Sequence, residues 1–306
     1  MAELTLRLQS LEDDDPWIIE QKTFDILNDY LQPDSIISAE TAAIALDDLN
    51  PMKRKESGEE VEATESFLLE TWGTFIESAK QIPSDHSSQA KFVVLIKALI
   101  HLPPTPVTVW KSERKLWEDL PLIGVAFREA WIDPSSAEDS ITPFQQWVNL
   151  NSFAAHLLNS TLVTWIHFPI WSLRSALEEE SPVADVRDYR ILAAAQWIEH
   201  SGSYLFEQIS DKELSSDEKK SLSGGALYSG RPGLCLERWK FWISRLRDIE
   251  GQQSGEGESS LSYPEEVKCA ARKAVGIMEG PIKEAAAEDD RAEEVIGHEA
   301  FEETDS

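Results

Sequence analysis

The sequence has little cysteine and no long apolar run. Its 306 residues include only two cysteines, Cys235 and Cys269, which excludes a disulfide framework and the paired spacing of a structural zinc site. No stretch approaches the roughly 18 consecutive apolar residues of a membrane-spanning helix. Residues 1–15 carry an acidic triplet, Asp13-Asp14-Asp15, where a secretory signal would place an apolar run. We therefore expect a protein of the cytosol or the nucleus, without a membrane partner.

Positive charge is scarce as well. Lysine and arginine together number 28, against 56 aspartates and glutamates, and the formal net charge is -28. The acidic surplus is concentrated in residues 1–66 and 248–306, whereas residues 67–247 are close to neutral. Such a charge repels nucleic-acid phosphate and anionic lipid at long range. We expect a protein partner and no nucleic acid, and the oligomeric state stays open.

Motifs for catalysis, metals and cofactors are missing. The six histidines show neither the i,i+4 pairing nor the flanking glutamate of a metalloprotease. No serine lies in a Gly-x-Ser-x-Gly elbow. The glycine-rich residues 224–230 are followed by Arg231 and Pro232, where a phosphate-binding loop needs lysine and a hydroxyl residue. We predict no catalytic residue, no metal and no cofactor, and lean towards a protein that is not an enzyme.

Apolar residues recur with helical spacing along most of the chain, and hydrophobic residues at 42% suffice to fill a core. We predict an all-α fold, a bundle of stacked or orthogonal helices that number roughly ten to twelve, without a substantial sheet. Residues 16–281 are interpreted as one helical domain, with an exposed charged loop at 51–62 and a linker at 251–262 inside it. Residues 282–306 are interpreted as an acidic tail that is frayed or disordered.

Tryptophan is abundant, with 11 residues that lie mostly in the near-neutral middle. We interpret these indoles as core between packed helices; the alternative is an aromatic cage for a ligand. Within residues 230–246, Trp239 and Trp242 share one apolar face, and Arg238 and Arg245 lie on a neighbouring face. This segment predicts a central core helix that begins near Pro232.

Several short blocks follow one another in a recognisable order: Trp117-x-x-Leu120-Pro121, Trp147-x-x-Leu150-Asn151, Trp171-x-Leu173-Arg174-x-Ala176-Leu177-Glu178, Ala193-Ala194-Ala195-Gln196-Trp197 and Glu237-Arg238-Trp239-x-Phe241-Trp242-x-x-Arg245. This order resembles a fungal family known as domain of unknown function 3632, over roughly residues 16–280. The resemblance implies a fungal, intracellular, helical protein and brings no known activity, cofactor or catalytic residue. The motif residues that we interpret as structural are Trp147, Trp171, Arg174, Glu178, Trp197, Glu237, Trp239 and Trp242.

Two functions remain open. Arginines inside a helical core normally meet carboxylates, so Arg174 and Arg238 are expected to pair with Glu178 or Glu237 and to support the fold. A structural role for these arginines favours a non-catalytic protein-interaction or regulatory module. The alternative is a binder or enzyme of a small anion that uses Arg231, Arg238 and Arg245 near the start of the central helix, where free N–H groups favour negative charge.

Overall fold

The computed structural model describes residues 2–12, 15–134, 144–181, 183–252 and 262–302, with side chains described as far as residue 284. These residues contain twelve α-helices and one two-stranded antiparallel sheet. The predicted all-α class is confirmed. Most of the linker predicted at 251–262 lies outside the described residues.

The contacts of the chain fall into two compact units, Met1–Val163 and Thr164–Ser306. The single helical domain predicted over residues 16–281 stays a prediction.

The first unit contains seven helices and the hairpin: α1 Ile18–Leu31, α2 Ala39–Asp47, α3 Pro51–Glu56, α4 Thr64–Gln81, α5 Ser88–Ile100, β1 Pro106–Val109, β2 Ser112–Lys115, α6 Ile123–Ala130 and α7 Phe144–Asn159. Helix α4 contacts α1, α6, α7 and β1, and it carries the buried Phe67, Trp72 and Phe75. Trp72 meets Phe75 and Trp117 edge to face, with ring centroids 5.4 and 5.8 Å apart. The indoles of this unit's core therefore pack helices together, as the sequence predicts.

The charged loop predicted at residues 51–62 is partly wrong, because its first half is helix α3. Asn50 caps this helix by accepting a hydrogen bond from the Lys53 N–H at 3.0 Å, and Pro51 takes the first helical position. Arg54 is buried; its Nε donates to the Leu49 carbonyl at 2.8 Å, and its guanidinium pairs with Glu62.

The hairpin was not expected from the sequence. Strands β1 and β2 pair in antiparallel register, with Val109 opposite Ser112, so that Trp110 and Lys111 alone form the turn. Both turn residues have a positive φ, +46° and +65°, as a type I′ turn requires. Val107 and Val109 are buried on the side of β1 that meets α4, and this packing holds the strand in place.

Because asparagine and glycine are the residues that suit a type I′ turn, replacing Trp110 with asparagine and Lys111 with glycine together is expected to stabilise the first unit. We expect the free energy of unfolding to rise by about 1 kcal/mol, since each left-handed L-residue costs roughly 1–2 kcal/mol and added glycine flexibility in the unfolded chain offsets part of it. Urea unfolding followed by circular dichroism measures this gain. An unchanged or lower value would show that the wild-type turn is unstrained.

Helices α1 and α4 bring two carboxylates together, Glu20 and Glu70. Burial, and next the charge of Glu20, raise the pKa of Glu70. Since the folded pKa exceeds the unfolded one, the contribution of Glu70 to stability is present at acid pH and is lost as the pH rises through the folded pKa. At neutral pH the folded state therefore carries an unfavourable charge.

The change of Glu70 to glutamine is consequently expected to raise the free energy of unfolding at pH 7, by less than about 1 kcal/mol because the site is partly open to solvent. The gain should shrink or reverse at pH 4. Urea unfolding across this pH range checks the prediction, with Glu60→Gln on an exposed segment as the control. A pH-independent difference would contradict it.

The second unit contains five helices: α8 His167–Leu177, α9 Ala184–Glu207, α10 Ser216–Ser221, α11 Leu236–Gly251 and α12 Glu265–Glu302. Helix α12 packs against α9 and α11, and α8 packs against both α9 and α11. Trp197, Trp239 and Trp242 are fully buried among these helices. The predicted core helix is thus found, although it begins at Leu236, four residues after Pro232.

Helix α12 continues through most of the region predicted as a frayed or disordered tail. It is helical to Glu302, whereas residues 303–306 lie outside the described residues. Alanine and glutamate dominate the sequence after residue 283, and both have high helix propensity, so the same composition that lacks core residues also favours a helix. The low hydrophobicity of this segment therefore does not by itself predict disorder.

Candidate functional site

Glu178, the residue that caps α8, is the centre of a buried network in the second unit. Its side chain has no exposed surface. Arg238 of α11 donates from Nε to Oε1 at 2.6 Å and from Nη2 to Oε2 at 3.0 Å, and Trp242 donates from Nε1 to Oε1 at 2.6 Å. A two-pronged guanidinium–carboxylate pair of this kind fixes both distance and orientation. The carboxylate therefore joins the end of α8 to α11.

The same carboxylate holds the glycine-rich loop. The Gly225 N–H donates to Oε2 at 2.8 Å, and the Leu227 N–H donates to the backbone carbonyl of Glu178 at 2.8 Å. A Cβ atom at Gly225 would lie 2.6 Å from that carbonyl oxygen, so only glycine allows this approach. These N–H groups of the loop bind Glu178, which leaves them no role in cradling a phosphate.

Every donor of Arg238 has an acceptor inside the protein. Besides the two bonds to Glu178, Nη1 donates to the carbonyls of Leu222 and Gly233 at 2.8 and 3.1 Å, and Nη2 donates to the Ser223 carbonyl at 3.1 Å. A guanidinium has five N–H donors, and these contacts use all five. The buried arginine thus has a structural role and no donor left for a ligand.

The arginine–carboxylate pairing differs in one detail from the expectation. Arg174 and Glu178 are spaced for a contact along one helix, but Glu178 binds Arg238, and Arg174 instead lies 3.4 Å from a carboxylate oxygen of Glu179. Arg174 also donates to the Ser223 carbonyl at 3.4 Å. Glu237, the other predicted partner, is exposed on the first turn of α11.

The tryptophans of the motif are placed in both units. In the first, Trp147 is buried and its ring centroid lies 4.8 Å from that of Trp131. In the second, Trp171 donates to the Ser221 carbonyl at 3.0 Å, and Trp239 donates to the Met278 carbonyl at 3.1 Å. Trp197 is fully buried on α9. These contacts all join helices or hold a loop.

The three arginines of the predicted anion site do not share one cavity in the described part of the second unit. Arg231 is exposed, binds Asp211 at 2.6 Å and lines a cavity of about 400 Å³ beside Gly233. Arg238 is sealed in the Glu178 network, and Arg245 donates to the Leu177 carbonyl at 3.1 Å. Lys212 and Lys219 also line the cavity of Arg231, together with Asp211 and Glu213.

The feature that sequence reasoning missed is the tip of the hairpin. Trp110, interpreted as core, is 61% exposed, and its indole has no hydrogen-bond or ring partner among the described residues. Its backbone N–H donates to a carboxylate oxygen of Glu65 at 3.1 Å, which anchors the turn to α4. No sequence signal marks this turn, because tryptophan and lysine are unusual in type I′ geometry.

Beside Trp110 lies a groove of about 560 Å³, formed by β2 and the segment that leads into α6. We call this the hairpin groove; its lining includes Trp110, Arg114, Asp119, Leu120, Leu122 and Val125. Leu120 and Leu122 have φ values of +43° and +66°. Four of the five non-glycine residues with positive φ in the described chain thus lie in the hairpin turn or this segment.

The floor of the hairpin groove is fixed from below. Trp72 donates from Nε1 to the Pro121 carbonyl at 2.8 Å, and Trp117 donates to a carboxylate oxygen of Asp47 at 2.6 Å. Both indoles are buried. The groove therefore rests on the aromatic core of the first unit.

The described side chains include no group of three or more histidine, cysteine, aspartate or glutamate residues arranged to hold a metal ion. Among the described helices, none combines the length and the apolar character needed to cross a membrane. The described residues thus form a core in which the Arg238–Glu178 charges are paired, and a groove beside the exposed indole of Trp110.

These features define an α-helical protein in which buried tryptophans and the Arg238–Glu178 pair build the core. The chain belongs to the family described as protein of unknown function (DUF3632), whose model matches residues 72–246. The matched residues include the hairpin groove and the Glu178 network. The family predicted from the sequence is confirmed, and the predicted fungal source stays a prediction. Searches of curated proteins and of solved structures found no significant match.

Proposed function

We propose that this chain is a non-catalytic protein-interaction module that contacts its partner through the hairpin groove. The observation that carries the proposal is the indole of Trp110, held outside the core on a turn with two left-handed residues. An exposed tryptophan beside a groove is a typical anchor of a protein interface, since its large apolar area leaves water on binding.

The backbone of the groove supports the same proposal. Residues held in the left-handed region cost about 1–3 kcal/mol each, and they cluster where binding requires a particular shape. Trp110, Lys111, Leu120 and Leu122 all have this conformation around one groove. A sequence selected for stability alone would place glycine or asparagine in the turn.

The test is partner capture by the purified full chain from a cell extract, with bound proteins identified by mass spectrometry. The Trp110→Asn, Lys111→Gly variant is expected to lose the proteins that wild type captures, although its turn is more favourable. Ile36→Ser is the matched control, because Ile36 is a fully exposed aliphatic residue of the same unit. Equal capture by wild type and the turn variant would refute the proposal.

We also propose a reducing compartment, the cytosol or the nucleus. Cys269 is exposed and Cys235 is buried, and both are free thiols. A free exposed thiol persists where disulfide formation is disfavoured. Imaging of a tagged chain in its source cell tests this proposal, and secretion would contradict it.

A second candidate function rests on the cavity of about 400 Å³ in the second unit, where Arg231, Lys212 and Lys219 offer cations. It would take a small organic acid or a phosphate, although Asp211 and Glu213 compete for these cations. Thermal shift measurements with phosphorylated metabolites test it, with Arg231→Ala as the variant. A shift seen with wild type and abolished in Arg231→Ala would favour this function over protein binding.

A further inference from the structure

Two cations without an ion-pair partner belong to the hairpin: Arg114, which lines the hairpin groove, and Lys111, which follows Trp110 in the turn. Lys111 in the turn and Arg114 on β2 are both exposed, and neither forms an ion pair within the described chain. The neighbouring Lys115 is different, because its Nζ lies 2.5 Å from a carboxylate oxygen of Glu118.

The lining of the hairpin groove determines which chemical groups a ligand needs. Leu120 and Leu122 line the groove but are buried, so the exposed indole of Trp110 and the partly buried Val125 provide its apolar surface. The one acidic group that lines the groove, Asp119, already accepts a hydrogen bond from the Lys115 N–H at 2.8 Å. A ligand that fits therefore needs an apolar side chain to cover the indole of Trp110 and carboxylates for the two cations.

We infer that the hairpin groove binds a short acidic segment of a partner protein, with an apolar side chain packed beside Trp110 and carboxylates paired with Lys111 and Arg114. This inference rests on the proposed function and names its partner class. Arginine binds a carboxylate with two parallel hydrogen bonds, which adds orientation to charge attraction. A short acidic segment carries only a few negative charges, so the net charge of the protein repels it less than it repels the long phosphate array of a nucleic acid.

The probe is a phage-displayed library of random dodecapeptides, selected on the full chain and counter-selected on the Trp110→Asn, Lys111→Gly variant. We expect enriched peptides to carry net negative charge and at least one aromatic or aliphatic residue. Synthetic copies should bind Arg114→Glu at least about tenfold more weakly than wild type, and should weaken as salt rises. Lys55→Glu, a charge reversal at an exposed position of α3, is the matched control and should change affinity little.

The partner class is overturned if no peptides are enriched, if the enriched peptides are neutral or basic, or if Arg114→Glu binds them as tightly as wild type. Displacement of the peptides by an oligothymidine strand would also overturn it, in favour of nucleic acid. Enrichment of peptides that match this chain's own sequence would overturn it in favour of a second copy of the chain. If extract capture still depends on the turn residues after such a result, the proposed function stands and only the partner class fails. If capture never depends on them, the proposed function fails too.

Discussion

Replacing Arg238 with alanine is expected to lower the free energy of unfolding of the second unit by about 3–5 kcal/mol. The change leaves the Glu178 carboxylate buried without its guanidinium partner, and it removes the donors to the Leu222, Ser223 and Gly233 carbonyls. Urea unfolding followed by circular dichroism measures the loss. Amide hydrogen exchange should assign the loss to α8, α11 and the loop between residues 222 and 235.

The matched control is Arg231→Ala, because Arg231 is an exposed arginine on the same loop whose partner Asp211 is also exposed. Its effect should be small, because an ion pair between two exposed side chains adds little to stability. If Arg238→Ala lowers the free energy of unfolding no more than this control does, the buried network does not support the fold. A role for Arg238 in function would then be the better explanation.

The second large effect is expected in the first unit, where Trp72→Ala should cost about 3–5 kcal/mol. Trp72 is 1% exposed, contacts Phe75 and Trp117 edge to face, and donates to the Pro121 carbonyl. The truncation opens a cavity beneath the hairpin groove. Amide exchange within residues 1–163 locates the change, and urea unfolding gives its size.

Trp72→Phe separates packing from the hydrogen bond. Phenylalanine keeps much of the apolar contact but leaves the Pro121 carbonyl without its donor, which costs about 1–3 kcal/mol. Trp110→Ala, a truncation of an exposed indole, is the control and should be nearly neutral. Equal losses for Trp72→Ala and Trp110→Ala would contradict the assignment of Trp72 to the core.

The helices were largely predictable because their apolar faces repeat along the chain. Trp239 and Trp242 show this, since their spacing places both on the buried face of α11. Local signals for helix ends were less specific. Asn50 and Pro51 are an example: after an apolar repeat such residues are as typical of a helix end as of the cap and first residue of a new helix, which they are in α3.

Long-range pairings and the hairpin could not be predicted for a different reason. The sequence left both Glu178 and Glu237 open as partners of Arg238, and no local pattern indicates that this arginine binds Glu178, 60 residues away. The hairpin turn has no glycine or asparagine, and the burial of Val107 and Val109 against α4 decides its conformation. Tertiary packing thus placed the candidate interaction site where the sequence has no motif.

The central claim is that Arg238 and its buried network support the fold while binding occurs at the hairpin groove. The most direct test compares partner capture by Arg238→Lys and by the Trp110→Asn, Lys111→Gly variant, both below their unfolding temperatures. We predict that folded Arg238→Lys, although less stable, captures the same proteins as wild type, and that the more stable turn variant captures none of them. Capture lost in folded Arg238→Lys and kept in the turn variant would contradict the account.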